Sequence, residues 1–235
     1  MANYPIVLLS GGQDSATCLI WALKQFDDEP IAISFKYGQR HFEAENHAVA
    51  NICRYVKIRR HVVDLTGAFK ALTDNSLINH TKEIKFNKNT ELPTTFVPGR
   101  NILFLTVAAA FGYQLSKDHR EPINLVIGVN HIDYSNYPDC RPYAMSAMQN
   151  TLHRALDCPV QIHTPLIEMS KAEIVQYFYE LRGTDQLMAM THSCYEGVVG
   201  GCGSCPACEL RAKGFAEAGR IDPSRLKEGT DELNP

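Results

Sequence analysis

No apolar run in this chain approaches the length needed to cross a bilayer. Charge of one sign is not in large excess either. A formal net charge of −3 over 235 residues gives no global attraction to nucleic acid or to an acidic membrane. The first residues, Met1-Ala2-Asn3-Tyr4-Pro5, carry neither a basic start nor a small-residue cleavage site, so no signal peptide is expected. The expected location is therefore the cytoplasm. Internal repeats, low-complexity tracts and linkers are missing. Hydrophobic residues at 45% and charged residues at 21% are ordinary for a soluble globular enzyme. The length suits one large domain, or one domain with a small appendage.

Cysteine is not scarce but is unevenly spread. Cys18, Cys53, Cys140 and Cys158 stand alone, and each is expected to be a small buried hydrophobe. The other four, Cys194, Cys202, Cys205 and Cys208, crowd into a short stretch with C-x2-C-x2-C spacing at its end. In a reducing compartment such crowding reads as a metal site, not as disulfides. Four thiolates can close a tetrahedral shell with no open position, which favours structural zinc over catalytic zinc. Gly197, Gly200, Gly201 and Gly203 allow the tight wrap. An iron–sulfur centre is the rival, because C-x2-C-x2-C is also part of a ferredoxin-type run. Here, however, the fourth cysteine lies upstream and no proline follows Cys208. His192 is a spare ligand that four thiolates do not need. The metal would pin the helix expected at 209–218 onto the domain.

The chain also lacks a Walker-type loop, which ends in Gly-Lys-Ser/Thr. Instead Ser10-Gly11-Gly12-Gln13-Asp14-Ser15 follows the apolar run Ile6-Val7-Leu8-Leu9. Ala16, Leu19, Ile20 and Leu23 then fall on one face of a helix. Strand, glycine turn and helix start together make a phosphate cradle, because the unpaired N–H groups of a helix start attract anions. The pattern resembles the pyrophosphate loop of ATP pyrophosphatases. The blander alternative is an ordinary helix start capped by Ser or Asp.

Further along, Pro30–Phe35 reads as a second strand, followed by Tyr37-Gly38-Gln39-Arg40-His41 and a helix burying Ala48, Val49 and Ile52. Lys57–Leu65 reads as a third strand ending at Asp64. This rhythm is that of a parallel sheet with crossover helices, whose ligands sit beyond the strands' carboxyl ends. That rim would hold the glycine loop, residues 37–41 and Asp64, with solvated loop positions the alternative for Arg40 and His41. Residues 66–95 lack periodicity and read as a partly ordered excursion over the site. Phe96–Asn101 leads into a helix over 102–115. Arg100 at its start suits a carboxylate or phosphate. After a fourth strand (123–129), the segment NHIDYSNYPDCR (130–141) concentrates Asp133, Tyr137, Asp139 and Arg141 at a strand end. A helix from Pro142 is expected to bury Met145, Met148, Leu152 and Ala155. A fifth strand spans 160–163. Ser170-Lys171-Ala172-Glu173 forms a capping box for a helix burying Ile174, Phe178 and Leu181. Lys171 in that first turn opposes the helix dipole, and an approaching phosphate would explain it.

Taken in order, SGGQDS (10–15), FVPGRN (96–101), YPDCR (137–141) and CGSCPACELR (202–211) closely resemble the 7-cyano-7-deazaguanine synthases of queuosine precursor biosynthesis, over Val7 to Pro223. That family commonly has Gly where this chain has Asn136. The resemblance implies an α/β fold, a Rossmann-like parallel sheet flanked by helices of the adenine nucleotide alpha hydrolase type. It divides the chain into a pyrophosphate-loop domain (1–190) and a zinc-binding segment (191–235) packed on it. It further implies an ATP-dependent carbon–nitrogen ligase making the nitrile from 7-carboxy-7-deazaguanine and ammonia, through an adenylated acid and an adenylated amide. ATP with Mg²⁺ would lie on Leu8, Leu9, Ser10, Gly11, Gly12, Gln13, Asp14, Ser15, Ala16, Thr17 and Cys18. Asp14, Arg100 and Lys171 would be catalytic. Arg100, Asn101, Asp133, Tyr137, Asp139 and Arg141 would bind the deazapurine, and Cys194, Cys202, Cys205 and Cys208 one structural Zn²⁺. The partners implied are small molecules and a second copy in a homodimer, with no nucleic acid and no membrane.

Three rival functions fit the residues less well. A tRNA-thiolating pyrophosphatase needs a basic path for RNA, and this chain is net acidic. A glutamine amidotransferase needs a glutaminase, for which 235 residues leave no room. A zinc-ribbon binding module would leave the first 150 or so residues without a purpose.

Overall fold

The computed structural model describes residues 4–228 except 73, 80, 85, 88–91, 117 and 133–136. The chain runs β1 (Ile6–Leu8), α1 (Gln13–Gln25), β2 (Ile31–Lys36), α2 (Phe42–Val56), β3 (Arg60–Asp64) and α3 (Thr66–Leu72). A small hairpin, β4 (Phe86–Asn87) and β5 (Leu92–Pro93), leads to α4 (Arg100–Leu115), β6 (Ile123–Ile127) and α5 (Pro142–Leu156). β7 (Val160–His163), α6 (Lys171–Glu180), α7 (Asp185–Ala189) and α8 (Pro206–Glu217) complete it.

Five strands form one parallel sheet in the order β3-β2-β1-β6-β7. β1 is apolar at every position because both its faces are covered. Ile6 and Leu8 pack with Ile33, Leu125, Leu105 and Met148 on the side of α4 and α5. Val7 and Leu9 pack with Leu19, Ile52, Ile174 and Phe178 on the side of α1, α2 and α6. This is the expected Rossmann-like architecture. The chain winds outward from β1 to β3, then returns to the other side of β1 with β6. The crevice at that reversal, between the carboxyl ends of β1 and β6, is where such sheets bind ligands.

Several expectations shift in detail. The third strand starts at Arg60, not Lys57, because Lys57 adopts a left-handed conformation that ends α2, and the Ile58 N–H bonds back to the Cys53 carbonyl. Ala155 is exposed, not buried: α5 stops at Leu156, whose larger side chain takes the core contact. Leu181 lies past the end of α6 and is half-buried. The 66–95 stretch is more ordered than its composition suggests. Phe69 of α3 and Leu77 reach the core, and the Leu77 carbonyl accepts the Arg40 N–H, so this excursion braces the 37–41 loop from behind.

α4 lies on the sheet through Gly112. A methyl group there would stand 2.5 Å from Ile123 Cγ2 and 2.9 Å from Ile6 Cδ1. Gly112→Ala is expected to overpack this contact and lower stability by about 1–3 kcal/mol. The check is a fall in urea midpoint with unchanged m; an unchanged midpoint would show that α4 can shift freely on the sheet.

Candidate active site

The loop after β1 is built to leave a helix start open. Gly11 has φ +85°, and a Cβ there would stand 3.0 Å from both Ala48 Cβ and the Glu45 carbonyl oxygen, so only glycine lets the loop pass against α2. Ser15 Oγ donates to the Gly12 carbonyl at 3.0 Å and lies 3.1 Å from Ser10 Oγ. The Gly12 N–H in turn donates to Ser10 Oγ at 3.3 Å. The hydroxyls thus close the loop on itself. The N-cap of α1 is Gly12, and no side chain caps the helix. That sets aside the ordinary capped start and leaves an anion site. Gln13 Nε2 and Asp14 Oδ1 are buried without a hydrogen-bond partner, which marks them as groups awaiting one.

Two close backbone approaches complete the cradle. At the end of β6, a Cβ on Gly128 would stand 3.1 Å from the Asp14 carbonyl carbon and the Ser15 nitrogen. From the opposite side the His192 N–H donates to the Gly11 carbonyl at 2.8 Å. Lys171, the first residue of α6, reaches across so that its Nζ lies 2.5 Å from Asp14 Oδ2. The expected Ser170–Glu173 capping box is present and fixes that helix start. α8 presses close at this point, where a Cβ on Gly214 would stand 2.6 Å from Lys171 Cβ.

The cradle opens into a cavity of about 320 Å³. Its far end is aromatic, with Tyr37, Phe104, Tyr137 and Tyr195 among the walls. Arg100 lies in this chamber, its guanidinium carbon 5.9 Å from the ring centres of both Tyr37 and Tyr137, with Nη1 donating to the Tyr37 hydroxyl at 3.4 Å. Burial opposes the charge of Arg100, but Tyr37, Tyr137, Tyr195 and Asp139 outweigh it and push its pKa up. Burial raises Tyr37 to about 12, so its hydroxyl stays a neutral donor and acceptor. A flat ring carrying an anionic group suits such a chamber, with a polyanion on the loop.

The structure sorts the expected site residues. Leu8, Leu9, Ser10, Gly12, Gln13, Asp14 and Ser15 line the cavity, as do Arg100, Asn101, Tyr137 and Lys171. Gly11 supports the loop from behind. Ala16 and Cys18 are in the core, and Thr17 Oγ1 donates to the Gln13 carbonyl at 2.9 Å. Asp139 and Arg141 are not among the lining residues. The turn at Pro138–Cys140 directs Asp139 inward, where Oδ2 accepts the Asn101 N–H at 3.0 Å and holds the start of α4. Arg141 precedes α5, and its Nη1 donates to the Tyr143 hydroxyl at 3.0 Å. Asp133 lies outside the described residues. On the rim, Tyr37 and His41 face the cavity, whereas Arg40 pairs with Glu196 at 3.0 Å and donates to the Lys82 carbonyl at 2.8 Å. Cys18, Cys53, Cys140 and Cys158 are all buried, as expected.

Sequence reasoning missed Glu45, Tyr195 and Arg211 as lining residues. Tyr195 had a signal, since it directly follows Cys194. The four cluster sulfurs lie within 4.8 Å of one another, and Cys202 and Cys208 are 3.9 Å apart. The edge of a tetrahedral thiolate shell around a single ion is about 3.8 Å, so the donor set fits a metal ion. Gly201, at φ +99°, leaves only 3.1 Å between its Cβ position and Cys208 Sγ. Tyr195 packs against these cysteines and also lines the chamber. Arg211 of α8 braces the same wall, pairing with Asp222 at 2.6 and 2.9 Å and donating to Thr191 and Ser193.

Compared with known proteins, residues 4–219 match the family model described as "Queuosine biosynthesis protein QueC". The 7-cyano-7-deazaguanine synthase of Chromobacterium violaceum is 44% identical over 93% of this chain and 91% of its own length. That of Bacillus subtilis is 41% identical over 90% and 93%, and that of Staphylococcus aureus 42% over 89% and 91%. Among the described residues no helix is long and apolar enough to cross a membrane.

Asp222→Ala would leave Arg211 charged and buried without its partner, at an expected cost of about 3–5 kcal/mol. Burial opposes ionisation of Asp222, but the hydrogen bonds and charge of Arg211 win and lower its carboxyl pKa. Because the folded pKa lies below the unfolded one, about 3.9, this stabilisation is complete above the unfolded value and is lost as pH falls through the folded one. Denaturation of wild type and variant at pH 7 and in acid tests this. The difference between them should shrink in acid, and a pH-independent difference would count against the ion pair.

Proposed function

The chain belongs to the QueC family of queuosine biosynthesis proteins, and on that premise we propose that it makes 7-cyano-7-deazaguanine from 7-carboxy-7-deazaguanine, ATP and ammonia. The observation that carries the reading is one cavity joining an uncapped phosphate loop to an arginine-bearing aromatic chamber. A carboxylate resists attack by ammonia because its oxygen leaves poorly. Attack of that carboxylate on the α-phosphate would release pyrophosphate and leave an acyl-adenylate. Ammonia would displace AMP to give the amide. The amide oxygen would then be adenylated by a second ATP, and loss of AMP would leave the nitrile.

This chain's residues divide the work. The loop N–H groups and the Ser10 and Ser15 hydroxyls hold the leaving pyrophosphate. Lys171, now paired with Asp14, is in reach of the same phosphates. Arg100 holds the substrate carboxylate until it attacks, and Tyr37, Tyr137 and Tyr195 enclose the deazapurine. The partnerless Asp14 Oδ1 fits a Mg²⁺ ion, which would neutralise phosphate charge when bound. The Cys194, Cys202, Cys205 and Cys208 set is read as one structural zinc, because its sulfur spacing fits the edge of a single ion, whereas an iron–sulfur cluster spreads its thiolates over several irons. Residues 191–235 act with 1–190 as one catalytic unit. The protein works in the cytoplasm, where thiolates stay reduced, and as a homodimer, as the resemblance implies.

The tRNA-thiolating alternative asks for a reactive cysteine at the site. Cys140 lines the cavity, but burial and the neighbouring Asp139 push its thiol up to about 12. That leaves it unreactive.

Incubation with 7-carboxy-7-deazaguanine, ATP, Mg²⁺ and ammonium should yield AMP and the nitrile by mass spectrometry. ADP without AMP would overturn the adenylation route. Lys171→Met should lower kcat by about 10²–10³. Elemental analysis should find one zinc per chain, and stripping it with a chelator, followed by removal of the chelator and assay with Mg²⁺ restored, should abolish turnover and lower the melting temperature together. Iron in place of zinc, or unchanged melting after metal removal, would overturn the structural-zinc reading.

A further inference from the structure

The proposed reaction strips protons from nitrogen, and a group must receive them. Within the cavity most candidates are committed. Asp14 Oδ2 faces Lys171. Both Glu45 oxygens are engaged, Oε2 accepting from Gln39 Nε2 at 2.9 Å and Oε1 standing 3.5 Å from His41 Nε2. His192 Nε2 is taken up by the Cys194 carbonyl at 2.8 Å. His41 is more enclosed than His192, which is only half-buried. It is 4% exposed, it lines the cavity, and its Nδ1 is buried with no hydrogen-bond partner. Its ring is fixed by Glu45 on one side and by Tyr195 on the other, 5.6 Å between ring centres.

We propose that His41 Nδ1 is the proton acceptor for the reacting nitrogen, and that Glu45 is the positioning residue that orients it. With the ring proton on Nε2, which stands 3.5 Å from Glu45 Oε1, the unpartnered Nδ1 keeps a free lone pair in the wall of the cavity that His41 lines. Burial opposes ionisation of Glu45, but His41, Gln39 and Arg100 outweigh it and lower its pKa, so Glu45 stays an anion able to hold that tautomer. The charged and titratable groups facing His41 are Glu45 from its own helix, and His192 and Tyr195 from the cysteine-cluster segment, with Arg100 of α4 lining the same cavity. In the adenylated imidate, the N–H proton passes to Nδ1, and the N–H electron pair becomes the third carbon–nitrogen bond. The carbon–oxygen bond breaks, and its pair leaves on AMP. The imidazolium then returns its proton to solvent. This assignment rests on the nitrile-forming reading above.

The test starts from the amide, 7-amido-7-deazaguanine, with ATP and Mg²⁺, so that ammonia plays no part. Wild type should form nitrile and AMP one for one; if it forms neither, the proposed reaction fails, whatever His41 does. Given wild-type turnover, His41→Ala should lower kcat for nitrile about 10²–10⁴-fold with KM for ATP within threefold. Added imidazole should recover at least tenfold of that loss. His41→Gln, whose amide N–H can face Glu45 in place of the ring nitrogen but which has no basic nitrogen, should show the same loss while remaining folded by circular dichroism. Nitrile formation by His41→Gln within threefold of wild type, or a His41→Ala loss that imidazole does not recover, overturns the proposal and leaves His41 a packing residue.

Discussion

Backbones close on the turn after β1 from three sides. Gly11 lies against α2, the exit of β6 at Gly128 lies against Asp14 and Ser15, and the His192 N–H ties the Gly11 carbonyl. This close approach is what keeps the α1 helix start open. A capping side chain would satisfy the helix and fill the cradle. Instead the backbone dipoles are held in place by neighbours that cannot relax, so an arriving anion meets oriented N–H groups without reorganisation. The sheet order makes this possible, because the chain reverses direction beside β1 and brings β6, α4 and α6 to the same rim.

Around that point the charges are arranged in pairs. Lys171 answers Asp14 in the cradle, and Glu45 and His41 face each other between cradle and chamber. Arg100 lies among tyrosines whose rings offer electron-rich faces but no full negative charge. The cavity can therefore receive anions without first expelling one, and its cations are held ready at separate places. The proposed reaction, with two anionic substrates, would need this separation, because each must be neutralised where it lies.

Local signals were legible in the sequence where a residue's chemistry and its neighbours along the chain decide its place. The apolar run of β1, the glycine loop, the Ser170–Glu173 capping box and the four crowded cysteines are all of this kind. Arg100 and Lys171 were legible because a cation at a helix start conflicts with the helix dipole and asks for an anion. What was not legible depends on tertiary approach. Gly128 looks like a strand end until α1 is laid against it, and Glu45 looks like a surface residue of an amphipathic helix. Asp139 read as a ligand contact because of its neighbours, yet the turn that holds it directs the carboxylate to the α4 backbone. Polar density in a loop identifies the region and leaves the direction of each side chain undecided.

The cysteine cluster and the chamber share Tyr195, which immediately follows one thiolate and packs beside Arg100 and His41. Any free energy by which the metal orders that tyrosine is also free energy that a ring bound against it can use. Binding equilibria linked through one side chain are reciprocal. If metal in the cluster tightened the grip on a flat substrate by some factor, that substrate would tighten the grip on metal by the same factor. On the proposed reaction, supply of the deazapurine would then stabilise the C-terminal segment when metal is scarce.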